Sequence, residues 1–144
     1  LKYLKDISKI IEKNKGGLLI IDYGYDRKKM ENTLQAIHNK NFSKVLENIG
    51  KSDITYKINF HIISKIIKSF YKLSINYTTQ KEFLTNLGIY ERAEIISKNK
   101  SFSKKIDIFY RLKRLTNNNE MGKLFKVMLI KNIDNKSQTG FTHC

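Results

Sequence analysis

Four consecutive residues, Asp22-Tyr23-Gly24-Tyr25, close a short apolar run and combine a carboxylate, two phenols and a glycine. The run they close, Leu18 to Asp22, is short and isoleucine-rich, which predicts a strand. In open α/β sheets, ligands bind in the crevice outside the carboxyl ends of the strands. A carboxylate there could hold a guanidinium through two hydrogen bonds. A strand-end turn, with aspartate and glycine serving only the backbone, accounts for the same residues. Position alone does not separate the two readings. Further on, Thr33-Leu34-Gln35-Ala36 sets a hydroxyl near an amide that can both donate and accept. These residues could wall a site or begin a polar helix. Asp53 and Thr55 admit the same pair of readings.

Other chemistries lack their residues. His38 reads as a loop residue and His61 as part of a helix face. Neither has a cysteine or paired aspartate at metal-ligand spacing, so a zinc site is not expected. No Ser-His-Asp or Cys-His pattern appears, and the single cysteine, Cys144, is the last residue. It supports no internal disulfide, which fits a reducing, cytoplasmic setting. Apolar runs such as Leu18 to Ile21 are far short of a membrane span, and the first residues lack a cleavable apolar segment.

The formal charge of +15 admits binding to nucleic acid or another polyanion. However, lysine and asparagine are scattered throughout, proline and tryptophan are absent, and only Lys104–Lys105 and Arg111–Arg114 approach a basic block. The codon bias of a genome rich in A and T explains this composition better than a nucleic-acid surface does.

The elements that must position these residues follow from periodicity. Tyr3 to Lys13 predicts a helix with Leu4, Ile7, Ile10 and Ile11 on one face, ended by Gly16–Gly17. The strand Leu18 to Asp22 has the composition of one covered on both faces. Asp26 to Thr55 reads as a long polar loop with at most a short helix near Leu34 to Asn39. Asn59 is placed to cap a helix over Phe60 to Phe70. Leu73 to Tyr77 alternates as a strand does. Thr79 and Glu82 form a capping-box pattern ahead of a short helix that stops at Gly88. Tyr90 to Lys98 and Ser103 to Leu115 predict two more helices, Thr116 to Gly122 a polar loop, and Leu124 to Ile130 a strand. Residues 132–144 read as a loose tail beyond a domain of residues 1–131. The order of elements is α/β.

Five segments resemble the MidA family of S-adenosylmethionine (SAM)-dependent methyltransferases. They are GGLLIIDYGY from Gly16, TLQAIH from Thr33, SDITYKINF from Ser52, TQKEFLTNLGI from Thr79, and MGKLFKVM from Met121. They stand in the family's order and at similar spacings. The resemblance implies the C-terminal part of a class I methyltransferase Rossmann-like sheet, with three strands in the order 5-7-6. The seventh, Leu124 to Ile130, would be antiparallel and lie between the other two, with helices flanking. It also implies transfer of methyl groups from SAM to protein arginine, with a subunit of respiratory complex I as the acceptor. Asp22, Tyr23, Gly24 and Tyr25, with Thr33, Gln35, Asp53 and Thr55, would then form the substrate side.

The cofactor of such enzymes rests against a glycine-rich turn after the first strand. This chain has seven glycines and no G-x-G after a strand; Gly16–Gly17 precedes one. The chain alone is therefore expected not to bind SAM, and its first residue, Leu1, suggests a truncated or split gene. A separately encoded N-terminal half is the expected partner. The chain also departs from the family at polar positions. Glu31-Asn32 stands where the family tends to have Gly-Asp. Thr55-Tyr56-Lys57-Ile58-Asn59 stands where it tends to have Thr-Ala-His-Val-Asp. These changes leave open a non-catalytic remnant or a protein-interaction module.

Overall fold

The structure is a computed structural model that describes residues 2–141, so Cys144 lies outside the described residues. The first helix, α1 (Lys2–Lys13), turns Ile11 into the core and leaves Tyr3, Ile7 and Ile10 exposed. It does not end on the two glycines. Lys15 takes the left-handed backbone at φ 52°, and the Gly16 N–H closes the turn on the Ile11 carbonyl at 3.1 Å.

Gly17 then opens β1 (Gly17–Tyr25). The segment expected to be an irregular loop instead folds into a small sheet of β2 (Gln35–His38), β3 (Asn41–Ser43) and β4 (Asp53–Thr55), in the order β3-β2-β4 and antiparallel throughout. No helix forms near Leu34. The reason lies in the turn: Asn39 and Lys40 both have positive φ, 49° and 65°, the two-residue geometry that suits a tight hairpin. His38 thus sits in a strand, not in a loop.

The local signals downstream hold. After β5 (Ile58–Asn59), the Asn59 side chain accepts from the Ile62 N–H and starts α2 (Phe60–Phe70). Thr79, at the end of β6 (Leu73–Thr79), and Glu82 form the reciprocal capping box of α3 (Gln80–Asn86). Gly88, at φ 75°, turns the chain into α4 (Ile89–Ser97), which is followed by α5 (Phe102–Thr116). The expected polar loop is shorter than read, because the single turn α6 (Met121–Leu124) precedes β7 (Phe125–Asn132).

The main sheet has the order β5-β1-β7-β6, with β7 antiparallel to both β1 and β6. This is the 5-7-6 arrangement with its antiparallel central strand, extended by a two-residue parallel pairing of β5 on Gly24 and Tyr25. On one face Leu18, Ile20, Ile75, Met128 and Ile130 pack against Ile11, Phe60 and Ile67 of α1 and α2. Full burial of a side chain such as Phe60 stabilises the fold by about 2 kcal/mol. Contrary to expectation, β1 is not covered on both faces: Leu19 and Ile21 are 45% and 48% exposed. Among the described residues, no strand lies beside residues 17–23 of β1 on the side away from β7.

Residues 133–141 do not hang loose. The Lys131 ammonium donates to the Ser137 carbonyl at 2.6 Å, Asn86 Nδ2 donates to the Gly140 carbonyl at 3.1 Å, and Phe141 packs edge-on against Phe83. Asn132 binds back to the first turn of the chain, donating its backbone N–H to the Gly16 carbonyl and its Nδ2 to the Glu12 carbonyl.

Candidate functional site

The carboxyl end of β1 faces the small sheet across an open cleft of about 580 Å³. Asp22 and Tyr23 form one side of it, with Ile58 of β5. Gln35, Ile37, Phe42, Ile54 and Thr55 come from the small sheet, with Tyr56 beside them. The register explains the grouping except for Ile54, which pairs with Ala36. Gln35 pairs with Thr55, and Ile37 with both Phe42 and Asp53. Directly paired residues share a face, so one face of the small sheet presents Gln35, Ile37, Phe42, Asp53 and Thr55 together.

Four of the eight sequence-selected residues, Asp22, Tyr23, Gln35 and Thr55, therefore line one cleft. Asp53 shares their sheet face outside the lining. The remaining three hold the frame. A Cβ on Gly24 would lie 2.4 Å from the Ile58 carbonyl and 2.6 Å from the Phe60 ring, so the residue permits β5 to approach β1. The hydroxyl of buried Tyr25 accepts from the Glu31 N–H at 3.0 Å and pins the connector after β1. Thr33 Oγ1 accepts from the Lys57 N–H at 3.0 Å and ties the approach to β2 to the approach to β5.

Within the cleft, Asp22 Oδ1 accepts from the Tyr23 N–H at 2.7 Å, which orients a carboxylate that remains exposed. The Tyr23 ring packs edge-on against Phe125, and the Lys57 ammonium lies 5.2 Å from its centre. Lys126, directly across from Asp22 in the β1–β7 register, is held below the usual lysine range by burial and by the neighbouring Lys123 charge. An oriented carboxylate, an amide, a hydroxyl and two phenol rings around one opening can bind a cationic, planar group. The residues that sequence reading missed are the apolar walls Ile37, Phe42, Ile54 and Ile58 and the phenol Tyr56. A period-two reading of Gln35 to Ile37 would have found the first.

A second, more enclosed recess of about 250 Å³ lies against α2, lined by residues that include Asp26, His61, Ser64, Lys68 and Tyr77. His61 Nδ1 is 3.4 Å from Asp26. The Tyr77 hydroxyl is buried, and burial first, then the Asp26 charge, raises it above the usual phenol range.

Residues 1–78 match the model of a family described as "Putative S-adenosyl-L-methionine-dependent methyltransferase". The chain belongs to this family. It is 27% identical over 122 residues to the mitochondrial protein arginine methyltransferase NDUFAF7 of Danio rerio, covering 85% of this chain and 28% of that protein. The NDUFAF7 homolog of Caenorhabditis elegans is 32% identical over 77 residues, covering 54% of this chain and 18% of that one. The chain thus spans less than a third of the length of these relatives. A Burkholderia thailandensis protein bound to S-adenosyl-homocysteine shares the fold, with a TM-score of 0.76 at 21% identity over 96% of this chain and 38% of its own. A second structure from that organism gives a TM-score of 0.81 at 22% identity, over 96% and 39%.

Among the described residues, no glycine-rich turn leads from a strand into a helix. In β1, Gly24 is closed off by Ile58 and Phe60, and Gly17 stands in ordinary contact with Lys131 and Leu129; Gly122 and Gly140 are closed off by Thr116 and Phe83. The open glycines, Gly16 and Gly50, do not follow a strand into a helix. Among the described residues no helix is long and apolar enough to cross a membrane.

Proposed function

We propose that this chain is the acceptor-side portion of a SAM-dependent protein arginine methyltransferase, inactive until cofactor-binding strands are supplied by polypeptide outside these 144 residues. The observation that carries the reading is the cleft where Asp22 and Tyr23 face Gln35 and Thr55. An acceptor guanidinium fits there, with the Asp22 carboxylate taking its N–H groups and the Tyr23 and Tyr56 rings bracketing its plane. The carboxylate would fix the orientation of the attacking nitrogen, and orientation is a large part of the catalytic effect in such transfers. Such strands would have a place to attach. Residues 17–23 of β1 offer an unpaired backbone edge, with Leu19 and Ile21 exposed beside it, and an open apolar edge is an invitation to pair.

Calorimetry of SAM into this chain alone should give no saturable heat. Co-expression with a polypeptide carrying a relative's N-terminal strands should give a stable pair that binds SAM. In that pair Asp22→Asn should reduce transfer to an arginine peptide by about a hundredfold while leaving SAM affinity unchanged. Saturable SAM binding by the chain alone, or full activity of the Asp22→Asn pair, would overturn the proposal.

A non-catalytic reading has one supporting observation. Asn59, where the family tends to have aspartate, is spent on structure: Oδ1 caps α2, and Nδ2 donates to the Arg27 carbonyl at 3.0 Å. A stable pair that binds SAM but never transfers a methyl group would favour that reading.

A further inference from the structure

Helix α5 carries two apolar sides, and the fold uses only one of them. Ile108, Leu112 and Leu115 line the recess against α4, opposite Ile89, Ala93 and Ile96. Phe102, Ile106, Phe109 and Tyr110 recur at helical spacing on a different side and are 80%, 54%, 44% and 68% exposed. A contiguous apolar stripe of that size on a helix marks a contact surface. The charge around it selects the partner. Five lysines and arginines against one acid, Asp107, stand in α5, and Asp107 is already taken by Arg111 Nε at 3.0 Å. Lys105 and Arg114 flank the stripe, and Lys113 lies along it, one turn beyond Phe109. A second copy of this chain would bring the same positive charge to the contact, which argues against self-association. A row of exposed aromatic and isoleucine side chains bordered by long cationic ones is the form of a helix that lies in a lipid interface.

We propose that the outer side of α5 is a peripheral membrane-binding surface for anionic bilayers. Phe102, Ile106, Phe109 and Tyr110 enter the headgroup boundary to a depth of about 5–10 Å. Lys105, Lys113 and Arg114 reach the anionic headgroups along their flexible stems. The inference is independent of the methyl-transfer reading.

The full chain is sedimented with vesicles of phosphatidylcholine alone, and with vesicles in which about a third of the lipid is phosphatidylserine. It should pellet with the second and not the first. The double variant Phe102→Ser, Phe109→Ser should bind the anionic vesicles at least tenfold more weakly, with unchanged helical circular dichroism. Because that variant could lose its fold, Phe109→Trp supplies a second readout. The chain has no tryptophan of its own, so the emission of the single indole should shift to the blue on anionic vesicles and be quenched by brominated acyl chains. Vesicle binding unaffected by the serine pair, or an indole that stays in water, would mean adsorption by net charge alone and would overturn the proposal. So would a dimer dissolved by the serine pair, or stripe-dependent binding of an acidic protein without any binding to vesicles.

Discussion

Next to Asp22, Gly24 and Tyr25 each make a contact that shapes the local fold. Two backbones meet at Gly24, so Gly24→Ala should cost about 2 kcal/mol through overpacking against Ile58 and Phe60, read as a lower urea midpoint at unchanged slope. Tyr25→Phe leaves the Glu31 N–H without its acceptor and should cost about 1 kcal/mol in the same assay. Glu82 tests the electrostatics at this scale. Hydrogen bonds, first from the Thr78 hydroxyl and then from the Thr79 N–H, hold its carboxyl below the ordinary range. A depressed folded pKa means that its stabilisation is complete above the unfolded value, about 4.3, and is lost as pH falls through the lower folded value. Glu82→Gln should therefore lower Tm at pH 7, and the gap to the parent should close progressively below about pH 4. The effect is small because the carboxylate is exposed and screened.

At the scale of elements, β1 is half finished. Its outer edge is unpaired over residues 17–23, and Ile21 on that edge is exposed. Ile21→Lys should reduce concentration-dependent self-association in sedimentation velocity while moving stability by less than about 1 kcal/mol. The same substitution should block pairing with the proposed cofactor-binding strands. The elements also show what a sequence can disclose. The caps of α2 and α3 were legible because Asn59, Thr79 and Glu82 act within three residues of their targets. The 5-7-6 order was legible through the resemblance and not through periodicity. The small sheet was not legible, because strands of three and four residues draw their stability from partners rather than from their own pattern. Its hairpin was marked only by Asn39, whose companion Lys40 is an unusual residue at positive φ. The cleft was half legible for the same reason. Asp22, Tyr23, Gln35 and Thr55 stood out by chemical type, whereas Phe42 and Ile58 become walls only once β2, β3 and β5 are paired. The docking of Phe141 on Phe83 joins distant parts of the chain and had no local signal.

The whole molecule carries +15 charges on 144 residues, while its few ion pairs among the described residues, such as Lys15–Asp134 and Arg27–Glu31, are surface contacts. Self-repulsion then works against the compact state, and salt relieves it. Tm should rise as salt is increased from about 20 mM to about 200 mM, the reverse of what dominance by surface ion pairs would give.

The antiparallel strand β7 lies between β1 and β6, so those two strands never touch without it. Its partners in β1 are more than a hundred positions earlier in the chain. On a ribosome, β1 leaves well before β7, and its edge toward β7 stays open until that strand has been synthesised. The sheet can close only after Phe125 to Asn132 has been made, and pairing across so large a loop slows folding.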